Sequence, residues 1–339
     1  MSLTITRLLG FGGPNLFGPQ PGVALRLRAR RDVASWLRDA LKDGGQRAGL
    51  VIGALHVTAV PLDDDYHIEA HFTTPTPALG VELAQYAVAG MNARAVGDDS
   101  WDAGEQIWPL QQRRRAEALP LAALQLIAEA RRRGIPAFQR ADGRLQLGHG
   151  MRGMALDLAQ LADDWSAPAS ARSSAAASVD WATLGPIPII AVSGGDERAA
   201  VAAALVAALD ARNLPATWVP DADFASARAA LCQPGAARVV LTLSPARLFA
   251  QGLPFDACAA CLITGLPTAL PGADDTEIAQ ATALPLLVTA PAGRAIVSAD
   301  APELAALAAY AACTVHFQQF KVRSSKFRMD EGLLDILNA

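Results

Sequence analysis

PIIAVSGGDERAAVAAALVAA, Pro188 to Ala208, is the stretch from which the fold is read. Ile189 to Val192 has the continuous apolar run of a buried strand, a glycine pair follows, and an alanine-rich helix takes over. Strand, glycine turn and helix N-terminus together make the layout of a phosphate-binding loop, because the exposed N–H groups of the first helical turn point at an anion. Ser193, Gly194, Gly195 and Arg198 are the nucleotide-contact positions of such a loop. The residues around them do not suit the task. A working loop of the GxxGK[ST] kind ends in glycine, lysine and a hydroxyl that binds Mg²⁺. Here Glu197, Arg198 and Ala199 stand in those places. A carboxylate roughly 5 Å from one phosphate charge costs about 3 kcal/mol at an effective dielectric near 20. Asp196 and Glu197 instead suit the first turn of a helix that binds no anion, since carboxylates satisfy the helix dipole themselves.

Working outward, the chain has 339 residues, long enough for two ordinary domains, and 52% hydrophobic against 18% charged residues excludes global disorder. A net charge of −4 leaves no basic footprint for nucleic acid. The run Arg113-Arg114-Arg115 reads as a solvated segment ahead of a helix. Cys258 and Cys261 form a lone CxxC on an apolar segment, without the second pair a zinc site needs, and read as small core residues. The N-terminal MSLTITRLLGFGG has no run long enough for a signal peptide or membrane span, so a cytoplasmic protein is expected.

Along the first half, strands are expected at Leu3–Leu9 and Val23–Arg28, and a helix over Asp32–Lys42 with Val33, Trp36, Leu37 and Leu41 on its apolar side. An edge hairpin of Leu50–Val60 and Tyr66–Thr73 follows, then a helix at Ala78–Ala95 and a polar loop over 97–109 carrying Trp101 and Trp108. Leu119–Arg133 reads as a helix, and Phe138–Leu147 as a hairpin around Asp142-Gly143. Residues 1–161 thus form an α+β domain. Ser, Ala and Pro dominate 162–185, a linker. Within 186–320, strands at Ala216–Val219, Arg238–Leu243, Ala260–Thr264, Leu286–Ala290 and Arg294–Ser298 alternate with helices at Phe224–Leu231, Thr276–Leu284 and Pro302–Ala312. That alternation predicts an α/β, doubly wound, mostly parallel and P-loop-like domain. A tail, 321–339, closes the chain, with Leu333, Leu334, Ile336 and Leu337 as the apolar side of a docking helix.

These segments carry a resemblance. GGPNLFGPQPGVALRLR (Gly12 to Arg28), HIEAHFTTPTPALGVELAQYAVAGMNA (His67 to Ala93) and EARRRGIPAFQRADGRLQLGHGMR (Glu129 to Arg152) are similar to the N-terminal domain of the cyanophycin synthetase family. The last carries that family's "EA…RGIP…LGYG" pattern. IPIIAVSGGDERAA (Ile187 to Ala200), LFAQGLPFDACAACLITG (Leu248 to Gly265) and AIVSADAPELAALA (Ala295 to Ala308) resemble the central, ATP-binding domain of Mur-type ligases. The resemblance implies an ATP-grasp domain between the two parts and a C-terminal Mur domain after them; this sequence has neither. It also implies a loop lysine where Arg198 stands, a Mg²⁺-binding threonine at Ala199, a metal-coordinating glutamate at Thr242 and an asparagine at Gly265. No counterpart of the family's Mg²⁺-proximal histidine occurs in Leu266 to Gly272, and the chain holds no HxxEH motif.

Two further constellations stand apart. His67, Glu69 and His71 share one strand face, a pattern able to bind a divalent metal together with His56, or else the solvated side of a hairpin. His149 sits in a glycine-flanked turn, either structural or lining a cleft. The leading expectation is a non-catalytic, cofactor-free accessory or binding protein. It would assemble with a cyanophycin synthetase or related amide ligase, or with its polymer, and with copies of itself. Two alternatives are an ATP-dependent acid–amino acid ligase, using Arg198 for phosphates and Asp256 or Asp274 for metal, and a metal-binding hydrolase module at His67, Glu69 and His71.

Overall fold

The computed structural model describes residues 2–161 and 179–320, so most of the expected linker and the whole tail lie outside the described residues. The chain divides into two compact units: Met1–Ala118 with Ala250–Gly252, and Leu119–Phe249 with the chain from Leu253 onward.

The first unit is built on an antiparallel sheet in the order β1-β2-β4-β3, with β1 (Thr4–Phe11), β2 (Gly22–Ala29), β3 (Leu55–Leu62) and β4 (Asp65–Thr73). Alternation along the strands splits its two faces. Val23, Leu25 and Leu27 of β2 and Ile68, Ala70 and Phe72 of β4 point into a core shared with three helices. These are α1 (Ala34–Ala48), α2 (Pro77–Val96) and α3 (Ala103–Ala116), which add Leu37, Leu41, Leu79, Leu83, Ile107 and Leu110. The opposite face carries Arg26, Arg28, Asp65 and Glu69, paired as Arg26–Glu69 and Arg28–Asp65.

Several expectations change here. The hairpin's second strand, β4, is interior, bonded to β2 as well as β3. Trp36 does not join Leu37 and Leu41 in the core but is 52% exposed. The stretch 97–109 is not all loop, because Asp102 accepts hydrogen bonds from the Gly104 and Glu105 N–H groups and starts α3. Arg113, Arg114 and Arg115 therefore lie in the last turn of that helix, where cations suit the dipole, and Arg113 pairs with Glu82 and Glu117.

In the second unit, α4 (Leu121–Arg132) packs against a small antiparallel sheet of β5 (Ala137–Gln139), β6 (Arg144–Leu147) and β7 (Met154–Asp157). Leu126, Leu145 and Leu147 bury there with Leu161, Val179 and Leu184. These elements belong with the second compact unit, so the break between units falls at Ala118 rather than at the expected 161.

The same unit contains a six-stranded parallel sheet in the order β13-β12-β11-β8-β10-β9. Its strands are β8 (Ile189–Ser193), β9 (Thr217–Ala222), β10 (Val239–Leu243), β11 (Cys258–Ile263), β12 (Thr289–Ser298) and β13 (Thr314–Gln318). They alternate with α5 (Arg198–Asp210), α6 (Phe224–Leu231), α7 (Pro245–Gln251), α8 (Asp275–Leu287) and α9 (Pro302–Ala308). Ile189 and Ala191 of β8 join one core with residues of α6, α8 and α9, while Ile190 and Val192 join a second with Val201, Leu205 and Leu209 of α5. The sheet is covered on both faces, which is why its strands read as unbroken apolar runs. The expected strand at Leu286–Ala290 merges into β12, since Leu286 belongs to α8. Cys258 and Cys261 are buried free thiols, and burial pushes Cys258 up to about 12 and raises Cys261 as well.

Leu205, 1% exposed, is the central α5 contact to β8. Leu205→Ala is expected to lower unfolding free energy by about 2–5 kcal/mol in urea titrations, while Leu287→Ala, at 43% exposure, shifts it by under about 1 kcal/mol.

Candidate functional site

The turn at the end of β8 lies at the middle of the parallel sheet, with β10 on one side and β11 on the other. From β8 the chain runs outward to β9, returns as β10, and then crosses to β11 on the far side. A reversal of this kind leaves a crevice outside the carboxyl ends of the strands. Backbone conformation shows what the glycines are for. Gly194 has φ +127°, and a Cβ there would lie 2.4 Å from Thr264 Oγ1 and 2.8 Å from the Gly265 carbonyl oxygen. Close approach of the β11 end to the turn therefore requires glycine. Thr264 N–H donates to the Ser193 carbonyl at 2.9 Å, tying the two strand ends together.

Side-chain chemistry at the turn differs from that of a nucleotide cradle. The Arg198 guanidinium folds back and donates to the carbonyl oxygens of Gly195 (3.0 Å) and Gly194 (3.4 Å). It closes the turn on itself. Helix α5 begins only at Arg198; Asp196 and Glu197 precede it, and the Glu197 side chain caps no helical N–H. The expected placement of both acids in the first helical turn is thus corrected by one residue, and Glu197 Oε2 lies 3.3 Å from the Cβ position of Gly195. Ser193 is fully buried with no hydrogen-bond partner for its Oγ among the described residues. Nearby, Thr242 accepts a hydrogen bond from Trp218 Nε1 at 3.0 Å, so its hydroxyl serves an indole. Asp274, a candidate metal ligand, is the N-cap of α8, accepting the Glu277 N–H at 2.9 Å while Glu277 reaches back to Asp274 N.

In the first unit, His67, Glu69 and His71 share a face of β4, as the alternation requires. Glu69 is engaged by Arg26, whose Nε donates to Oε1 at 2.6 Å. The His71 ring is stacked between Phe17 and His56, each 4.7 Å away, and burial followed by the neighbouring His56 lowers its pKa. A small cavity of about 50 Å³ adjoins this stack. Among the described residues no three His, Cys, Asp or Glu side chains are grouped to hold a metal ion.

His149 is 4% exposed, so it lines no open cleft. Its turn is held by His149 N–H to the Gly185 carbonyl and Met151 N–H to the Ala236 carbonyl, each 2.9 Å. The ring lies 6.0 Å from Phe138, whose face also carries the Arg228 guanidinium at 4.6 Å, and Nδ1 has no partner among the described residues. Burial, then the Arg228 charge, pushes His149 down to about 4.

One feature had no motif to betray it. Trp36, Tyr86 and Trp101 line a cleft of about 580 Å³ between α1 and α2. Its traces in the sequence were Trp36 at helical spacing and Trp101 in an expected polar loop.

Residues 2–317 match the family described as Domain of unknown function (DUF4938). The chain belongs to that family. A search of curated proteins returns no match. Among the described residues no helix is long and apolar enough to cross a membrane.

The buried imidazole makes stability pH-dependent. With a folded value near 4 against 6.5 in the unfolded chain, His149 is neutral in the fold while the unfolded chain takes up a proton. Stability is therefore lost as pH falls from 6.5 towards 4, by about 3 kcal/mol at the low end, and is unaffected above 6.5. His149→Gln, which cannot titrate, is expected to flatten that interval relative to the native chain in urea midpoints taken at several pH values.

Proposed function

We propose that this protein is a non-catalytic binding protein on a ligase-like scaffold that no longer handles nucleotide phosphates. The reading places it beside an active amide ligase of the cyanophycin synthetase or Mur type, as an accessory subunit or as a binder of the ligase's polymer. One observation carries it: Arg198, at the position where a phosphate-binding lysine would stand, spends its guanidinium on the carbonyls of Gly194 and Gly195. Both bonds come from Nη1, so the turn's own carbonyls hold that nitrogen close to the backbone instead of aiming it outward at a phosphate. With Glu197 beside the same turn and a threonine at position 242 serving Trp218, neither charge neutralisation nor metal coordination is provided where phosphoryl chemistry needs it.

Support for the ligase kinship is the order of the matched segments together with a glycine turn at the end of a central parallel strand. In this reading ATP and Mg²⁺ are not cofactors of the chain. Isothermal titration of the whole protein with ATP and Mg²⁺ tests it. No saturable heat is expected up to millimolar nucleotide, and micromolar binding that Arg198→Ala abolishes would return the protein to the working ligases.

A further inference from the structure

We infer that the edge strand β13 is a self-complementary interface, through which two copies of this chain join their parallel sheets antiparallel about a two-fold axis at His316. The inference goes beyond the reading of the turn after β8 and does not depend on it, because it uses no residue of that turn.

An open sheet edge is a template for another strand, and proteins usually blunt it with charge, proline or a bulge. Of the four edges of the two larger sheets, three are blunted in that way. β1 carries Arg7 and a register shift between Ile5 and Arg7. β3 carries Pro61, and Arg38 Nη2 donates to its Val57 carbonyl at 3.0 Å. β9 carries Pro220, a register shift against β10 and a φ of 49° at Asp221. β13, Thr-Val-His-Phe-Gln, has no Pro, Lys, Arg, Asp or Glu, and its register with β12 is unbroken. Its Phe317 is 51% exposed. The described chain does not run back along this edge, since Phe320 packs in the same core as Leu205 and Ile296.

Hydrogen-bond direction sets the register. Ala299 N–H donates to the Gln318 carbonyl at 3.0 Å, so Gln318 faces β12. Successive residues of a strand turn their N–H and C=O to opposite sides. Thr314 and His316 therefore also face β12, and the N–H and C=O of Val315 and Phe317 point to the open edge. A second copy laid antiparallel, with His316 opposite its own counterpart, sets Val315 of each copy against Phe317 of the other. Each such pair exchanges both of its N–H···O=C bonds. The same register lays the exposed Phe317 ring beside the half-buried Val315 of the second copy, on the sheet face that Val297 also occupies. No Lys, Arg, Asp or Glu of the strand meets its like across the axis, although the whole chain carries a net charge of −4. A contact of this size suits a weak, concentration-dependent dimer.

Sedimentation velocity of the full-length protein, from ~1 to ~500 µM, is the test. A reversible shift from one chain to two is expected. Phe317→Pro removes an outward N–H and no bond to β12, and Phe317→Lys puts a charge on the edge. Each should keep the native circular dichroism and weaken the dimer by about tenfold or more. His316→Cys should cross-link to itself under mild oxidation, since residues opposite each other in a non-hydrogen-bonded pair have Cα atoms about 4.5 Å apart, within disulfide reach. A chain that stays monomeric across the range overturns the proposal. So does a dimer that both folded Phe317 variants leave unchanged, or one in which His316→Cys does not cross-link. Protection of the Val315 and Phe317 amides from hydrogen exchange in the monomer would put the chain's own residues on the edge, and overturns it as well.

Discussion

The strand Ile189–Ser193 is the constraint on which the second unit rests. It is hydrogen-bonded to a parallel neighbour on each side, Val239–Leu243 and Cys258–Ile263, and buried on both faces. Nothing polar can be tolerated along it until its last residue. The chain therefore has to turn at Ser193 in a space already bounded by the end of the adjoining strand, and glycine with positive φ at 194 is what fits there. The shape of the turn follows from packing beneath it, whatever the turn binds.

That distinction separates scaffold from chemistry. A phosphate cradle needs a geometry, supplied by glycines and a helix N-terminus, and a charge distribution, supplied by a cation and a metal ligand. In this chain the glycine turn after Ile189–Ser193 is enforced by the core and the adjoining strand end. The charge distribution rests on side chains free to change without disturbing that core, and here Arg198 satisfies backbone carbonyls of the turn itself. A fully buried Ser193 hydroxyl without a partner among the described residues persists beneath it, at a cost of roughly 1–3 kcal/mol.

How much of this was legible in the sequence depended on which forces were local. The strands at Ile189 and Val239 declared themselves through apolar runs, and the helix Phe224–Leu231 through its alternation with them. Trp36 misled, because a large apolar side chain at helical spacing is ordinarily core, and only the tertiary placement of Trp101 and Tyr86 shows why it faces a cleft. Alternation put His67, Glu69 and His71 on one face correctly, yet could not reveal that Arg26 from the neighbouring strand would take Glu69 or that Phe17 would cover His71. The boundary between units was hidden for a similar reason. Val179 and Leu184, at the far end of a Ser/Ala-rich stretch, pack onto Leu126 and Leu145, a contact that composition does not encode.

The closed turn is tested most directly by crystals grown or soaked with millimolar ATP and Mg²⁺. The Arg198 guanidinium should remain on the Gly194 and Gly195 carbonyls, with no ordered triphosphate beside it. Clear triphosphate density against the backbone amides from Gly194 to Arg198, with the guanidinium swung out to meet it, would contradict the central claim.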